Sequence, residues 1–257
     1  MTIAENRESE VRARTREAFL RELAVEHDMR IIACGGAGCN VGEYIAERMP
    51  HVPVTYLNSD EGSLKRAKSG KVVQVGRDVT FGRSALYPEV GEACAARCEK
   101  DIREALDGAD MAIVVAGLGG GVGSGAAPYV ASLANSMGIA TFSVVVLPFS
   151  AEKSRRTVAM DTLAKMKQIT HLTVAIDNDT LLKLSSISMD QAFNVVNDGA
   201  LKIVQNLEEH LKKEFLRAEL EEMERADAAE PGSGFSVSEY GRNGSQRGET
   251  PFAPGSR

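Results

Sequence analysis

The sequence predicts a doubly wound α/β fold: a mainly parallel sheet flanked by helices, with a long C-terminal central helix. Three observations carry it. Short runs rich in Val and Ile recur along the chain, several of them apolar on both faces, as strands covered by helices on each side must be. Helix-length stretches separate them, and strand–helix–strand order with right-handed crossovers builds a parallel sheet. From residue 190 an apolar stripe continues at spacings of three to five residues to about residue 225, longer than an ordinary globular helix.

In order, the strand candidates are "IIAC" (31–34), "VPVTYL" (52–57), "KVVQV" (71–75), "MAIVVA" (111–116), "ATFSVVVL" (140–147) and "HLTVAI" (171–176). Helices are expected near 40–49, 61–69, 88–107, 125–137, 152–168 and 190–225. Residues 1–28 are charged and helix-prone, with Val11, Phe19, Leu20 and Leu23 as a partial apolar stripe. They are expected to form a helical arm that docks on the domain or on a partner. The domain spans 29–206, and 207–226 is a charged extension of the central helix. From 227 to 257 Gly, Ser and Pro dominate, so a disordered tail is expected.

The chain has 257 residues, 43% apolar and 26% charged, with a net charge of −6. That balance argues against a general nucleic-acid binder, whose footprint is basic. No apolar run reaches the span of a transmembrane helix, and the N-terminus lacks the apolar core of a secretory signal. A cytoplasmic protein is expected, its four cysteines (Cys34, Cys39, Cys94 and Cys98) reduced and buried as small apolar residues. Their spacing lacks the tight C-x₂-C knuckles of zinc sites, so no resident metal is assigned.

Ligands of doubly wound folds bind at the carboxyl ends of the strands. Two glycine-rich turns stand there, each opening a helix: "CGGAGCNVG" (34–42) and "GLGGGVGSG" (117–125). Glycine lets backbone N–H groups approach phosphate oxygens, and a helix N-terminus adds partial positive charge. Two such turns point to a polyphosphate. Neither contains the Lys of a P-loop. "GGAGCNVG" misses the dinucleotide fingerprint by one position, with Asp60 as the candidate ribose acid. A dinucleotide (NAD) site remains an alternative, but it leaves the second turn unexplained.

"GGGVGSG" followed by "AAP" resembles the signature loop of the tubulin/FtsZ GTPase family, GGGTG[ST]G. The likeness continues in order through "GGAGCNVG", "LNSD", "PEVG", "PFSAEKSRR", "IDNDTLLKL" and "QAFNVVNDGALKIVQ", over roughly residues 30–206. It implies a site for GTP or GDP and allows an accompanying Mg²⁺. Gly35, Gly36, Ala37 and Gly38, with Gly119, Gly120, Gly121, Val122, Gly123, Ser124 and Gly125, would lie along the phosphates. Asn40, Asn178 and Asp198 match positions near guanine, Phe193 the residue stacking on the base, and Pro148, Glu152 and Arg156 the ribose segment. The competing readings are a turn former for Asn178, a core residue for Phe193, and a surface pair for Glu152 and Arg156.

The sequence also departs from the family. Val122 stands where the family has Thr. The loop expected to sense the γ-phosphate reads "FGRSALYPEVG" (81–91), with bulk in place of glycine and asparagine and Arg83 as a conceivable phosphate contact. The acidic loop that follows the central helix, and the second domain after it, are not recognisable. The expectation is an FtsZ-like, cytoskeletal or cell-division protein that binds guanine nucleotide, hydrolyses it slowly or with a partner's help, and assembles in a non-ordinary way. Self-association, an FtsZ partner, and exposure of Leu207, Leu211 and Phe215 belong to the same expectation; a competent GTPase activated in trans, through Glu208, Glu209, Glu219 or Glu221, is the alternative.

Overall fold

The computed structural model describes residues 28–183 and 188–229; the expected N-terminal arm up to residue 27 and residues 230–257 of the expected tail lie outside them, whereas 227–229, read as the start of that tail, are the last residues of the C-terminal helix. β1 (Met29–Cys34) leads into α1 (Gly35–Arg48), β2 (Val54–Asn58), α2 (Glu61–Leu64), β3 (Lys71–Gln74) and α3 (Arg77–Thr80). Then come α4 (Pro88–Arg97), α5 (Glu99–Leu106), β4 (Met111–Gly117), α6 (Gly121–Ser136), β5 (Ala140–Leu147), α7 (Lys153–Ile169) and β6 (Leu172–Asp177). A 3₁₀ turn (Asn178–Lys183) and α8 (Met189–Ala229) follow.

The six strands pair in the order β3-β2-β1-β4-β5-β6, and every pairing is parallel. This is the doubly wound sheet the sequence predicts. The winding reverses between β1 and β4, where Cys34 pairs with Ala116, so the crevice beyond their carboxyl ends is the switch point of the fold.

Alternation along the strands feeds two cores. Ile32, Cys34, Val114, Ala116 and Val145 point to one face, covered through Ala95, Ile102, Val130 and Met166 of α4, α5, α6 and α7. Ile31, Ala33, Ile113, Val115 and Val144 point to the other, covered through Val41 and Ile45 of α1 and Val196, Ala200 and Val204 of α8. Cys34 and Cys94 fall in the first core and Cys39 in the second; all are free thiols, and burial pushes the Cys39 thiol up to about 12.

Several boundaries differ from the sequence reading. α1 and α6 begin at Gly35 and Gly121, inside the segments read as turns: glycine's low helix propensity yields to packing that only glycine permits. Gly125 shows it, because a Cβ there would lie 1.9 Å from the Pro88 carbonyl oxygen and 2.6 Å from the Glu92 nitrogen. The helix expected over 88–107 breaks at Cys98, whose φ of −105° and ψ of 21° are not helical. Leu207 packs against the second core, because α8 still covers the sheet there, so the expectation that it is exposed is corrected. The side chains of Leu211 and Phe215 lie outside the described residues.

By contacts the chain divides into one unit through Lys212 and another from Lys213. Within the second, Glu221 pairs with Arg217 and Arg225. No helix among the described residues is long and apolar enough to cross a membrane.

Central and edge strands predict different sensitivities. Ile113 of β4 is fully buried and Val72 of β3 is 46% exposed. In urea unfolding, Ile113→Ala is expected to lose about 2–5 kcal/mol, whereas Val72→Ala stays within about 0.5 kcal/mol.

Candidate nucleotide-binding site

The switch-point crevice is built from two helix N-termini pressed together. Gly35 turns β1 directly into α1 with a φ of 76°, and its Cβ position lies 2.9 Å from the Gly123 nitrogen. A Cβ on Gly117 would sit 2.4 Å from that of Ala37. Neither α1 nor α6 has a side-chain cap at its N-terminus, so the orphan N–H groups of both first turns face the same crevice.

The glycines divide by what surrounds them. A Cβ on Gly121, Gly123 or Gly125 would strike the carbonyl oxygens of Ala85, Gly117 or Pro88, at 1.9, 2.0 and 1.9 Å; their bareness serves the protein's own packing. Gly38 likewise approaches the Val115 carbonyl at 2.6 Å. Gly120 meets nothing within 4 Å and Gly36 only the Ser63 hydroxyl at 3.9 Å, so these two open the cradle. Ser124 Oγ accepts the Gly119 N–H at 2.7 Å and closes the second turn on itself.

Beside the cradle lies a cavity of about 460 Å³. Ala37 and Asn40 of α1 line it, with Gly117 and Leu118 after β4, Pro148 and Phe149 after β5, and Glu152 and Arg155 at the start of α7. Asn178 of the 3₁₀ turn and Phe193, Val196 and Asn197 of α8 complete the wall. Phe193 is 48% exposed, a large apolar ring left at the rim. Asn178 Oδ1 is buried and has no hydrogen-bond partner, which costs about 1–3 kcal/mol while unmet. A larger cavity of about 540 Å³ lies between α4, α6 and α7, but Glu89, Glu92 and Asp161 stand around its single Lys165, a poor setting for phosphate.

Residues 28–186 match the Tubulin/FtsZ family, GTPase domain. The chain belongs to the tubulin/FtsZ family. It is 36% identical over 193 residues to the cell division protein FtsZ of Buchnera aphidicola subsp. Acyrthosiphon pisum, covering 73% of this chain and 50% of that one. It is 36% identical to cell division protein FtsZ 1 of Pyrococcus horikoshii, over 72% of this chain and 51% of the relative. Among solved structures, an FtsZ dimer from M. jannaschii aligns with a TM-score of 0.66 and 33% identity, over 71% of this chain and 55% of that one. CetZ2 of Haloferax volcanii, solved as a GTPγS-bound protofilament, aligns with a TM-score of 0.64 and 25% identity, over 70% and 58%. The chain spans about half the length of the curated relatives it matches.

Several of the candidate ligand residues are engaged elsewhere. Val122 is buried in the first core, because its position in the first turn of α6 faces α4, where a Cβ on Gly91 would come within 3.0 Å of the Val122 Cα. The Asp60 carboxylate caps α2, accepting from the Ser63 N–H at 2.7 Å and hydroxyl at 2.6 Å, and these bonds hold it below the usual carboxylate range. It is engaged as the cap of α2, where the dinucleotide reading had it as a ribose acid.

Arg156 turns away from the cavity: its guanidinium donates to both oxygens of Asp177 at 2.8 and 2.6 Å and to the Pro148 carbonyl at 2.6 Å. The Arg156 hydrogen bonds hold Asp177 below its usual range. The i,i+3 partner of Glu152 is Arg155, at 2.6 Å, not Arg156. Asp198 accepts the Tyr44 hydroxyl, with Arg48 stacked 3.4 Å over the Tyr44 ring; its neighbour Asn197 is the one that lines the cavity.

In the 81–87 loop Leu86 and Tyr87 are 78% and 65% exposed, so their bulk points to solvent. Only Ala85 is buried there, and its N–H donates to Ser59 Oγ at 2.9 Å. Arg83 is exposed and does not line the cavity. Arg155, Phe149, Leu118 and Asn197 are wall residues the sequence reading missed. For Arg155 the signal was present as "SRR", but which arginine faces inward depends on the phase at which α7 begins.

The two kinds of glycine are separable. Gly120 has a φ of −107° and ψ of 168°, open to any residue, so Gly120→Ala is expected to leave unfolding within about 0.5 kcal/mol. Gly123→Ala drives a methyl into the Gly117 carbonyl and loses about 3 kcal/mol; urea titration of both variants distinguishes them.

Proposed function

We propose that this FtsZ-family chain binds a guanine nucleotide, GTP or GDP, in the switch-point crevice, with residues 29–206 as its binding domain and 207–226 as a charged helical extension. The observation that carries the reading is a cavity walled by Asn40, Asn178 and Phe193 beside two uncapped helix N-termini, with the unpartnered Asn178 Oδ1 buried behind that wall. The donor set fits such a ligand. The N–H groups of Gly36, in the first turn of α1, and of Gly120, just before α6, would meet the phosphates, and Asn178 and Asn40 would hydrogen-bond the base edge. Phe193 would cover the base face, and Glu152 would accept from ribose hydroxyls. The bound nucleotide supplies the phosphoanhydride bond whose hydrolysis is the family's chemistry.

A divalent cation would rest mainly on the phosphates and water, as Mg²⁺ commonly does. Among the described residues no group of three His, Cys, Asp or Glu side chains is placed to hold a metal.

We infer slow or partner-dependent hydrolysis. Val122 gives its side chain to the core instead of offering a hydroxyl, and α8 continues as helix to Ala229. Of the acids considered for activation in trans, Glu208 already accepts from His51 and Lys212, and Glu221 pairs with Arg217 and Arg225. A cytoskeletal or cell-division role, and self-association with its own kind or with an FtsZ partner, are the readings that the relatives named FtsZ and the protofilament structure of CetZ2 support. The dinucleotide alternative loses its ribose acid to the α2 cap.

Nucleotide released from the purified protein is expected to be GDP or GTP by mass spectrometry. GDP should displace a fluorescent guanine nucleotide about 5- to 150-fold more effectively than ATP or NAD, the range set by satisfying or stranding one buried acceptor. Equal competition by all three would overturn the reading. Val122→Thr is expected to lower stability by about 1–3 kcal/mol, since it buries a hydroxyl in an apolar core, with no gain in turnover; a faster variant of unchanged stability would show that the missing hydroxyl limits hydrolysis.

A further inference from the structure

We infer that Arg155, not Arg156, is the cation this chain presents to the phosphates of its nucleotide, and that Asp177 fixes this choice by holding Arg156 in place. The inference rests on the guanine-nucleotide reading above and specifies how that site meets negative charge. Arg155 and Arg156 are consecutive in the first turn of α7. Successive helical residues point about 100° apart, so only one of them can face the cavity.

Arg156 is committed. It holds both oxygens of Asp177 and the Pro148 carbonyl, and its side chain is 21% exposed. This fork-on-carboxylate geometry is the strong form of an ion pair. Asp177 is the last residue of β6, in register with Leu147 of β5, and it also accepts the Asp179 N–H at 3.0 Å. The pair is a strut beneath Pro148 and Asn178, two residues of the cavity wall.

Arg155 is poised. Its side chain is 55% exposed, and it is the only basic residue among the described residues lining the cavity. Its Nη1 donates to Glu152 at 2.6 Å, an exposed pairing of little worth in water. Its Nε reaches the Gly119 carbonyl at 3.5 Å, a long bond. The guanidinium therefore stands beside the turn whose Gly120 N–H opens the phosphate cradle, with donors that a phosphate oxygen can claim at small cost. A planar fork of N–H donors suits phosphate.

Calorimetric titration of guanosine, GMP, GDP and GTP into the wild type, Arg155→Ala and Arg156→Ala tests this. Arg155→Ala is expected to weaken GDP and GTP by about 10- to 100-fold, the worth of one charge-assisted contact, while guanosine binding and thermal unfolding stay as in the wild type. Arg156→Ala is expected to weaken guanosine and GDP by the same factor and to lower the unfolding temperature, because it releases the wall rather than the phosphates. Wild-type GDP affinity in Arg155→Ala, or a phosphate-selective loss in Arg156→Ala, overturns the inference and leaves the nucleotide site standing. If the wild type binds neither guanosine nor any of the nucleotides, the nucleotide reading itself fails, and this assignment with it.

Discussion

Two helices begin at the same point in space, and the rest of the molecule is arranged around that approach. Gly35 and Gly123 bring the first turns of α1 and α6 together, and Gly117 passes Ala37 too closely for any side chain of its own. The sheet order makes the meeting possible, since β1 and β4 are neighbours whose following helices cover opposite faces. The contact concentrates two sets of unpaired N–H groups in one crevice. Positive ends of helices side by side are unfavourable without an anion between them, so the packing that completes the two cores also creates the demand for a ligand.

The side chains around the crevice follow from that constraint. Hydroxyl and carboxylate groups near it mostly serve the scaffold: Ser124 closes its own turn, Asp60 caps α2, and Asp177 anchors Arg156. What remains for a ligand is a short set of amides, the Phe149 and Phe193 rings, Glu152 and Arg155, standing on elements those inward bonds hold still. Preorganisation of this kind reduces the entropy lost on binding.

The family position sharpens the contrast between the base end and the phosphate end. Asn40, Asn178, Asn197 and Phe193 converge on one wall from three different elements. At the phosphate end, Val122 has joined the core and the 81–87 loop turns Leu86 and Tyr87 to solvent. Under the proposed reading, a pocket with these groups at the base end and few beyond the second turn would retain a nucleotide more than turn it over.

The fold was legible in the sequence because its signals are local. Six short apolar runs, several of them apolar on both faces, alternate with helical stretches as the strands of a covered parallel sheet do, and the glycine turns mark the ends of β1 and β4 by composition. Of the residues proposed from the sequence, Asn40, Pro148, Glu152, Asn178 and Phe193 line the cavity at the strand ends. Tertiary structure decided which way each group faces. Whether Gly125 is bare for a ligand or for a neighbouring helix depends on α4, and whether Gly121 is depends on Ala85, each dozens of residues away in the chain. Whether Arg155 or Arg156 looks inward depends on the turn that starts α7 and on Asp177, which competes for one of them. A sequence records residue types and spacings along the chain; the competition among a residue's possible partners is settled only when distant segments arrive within hydrogen-bonding distance.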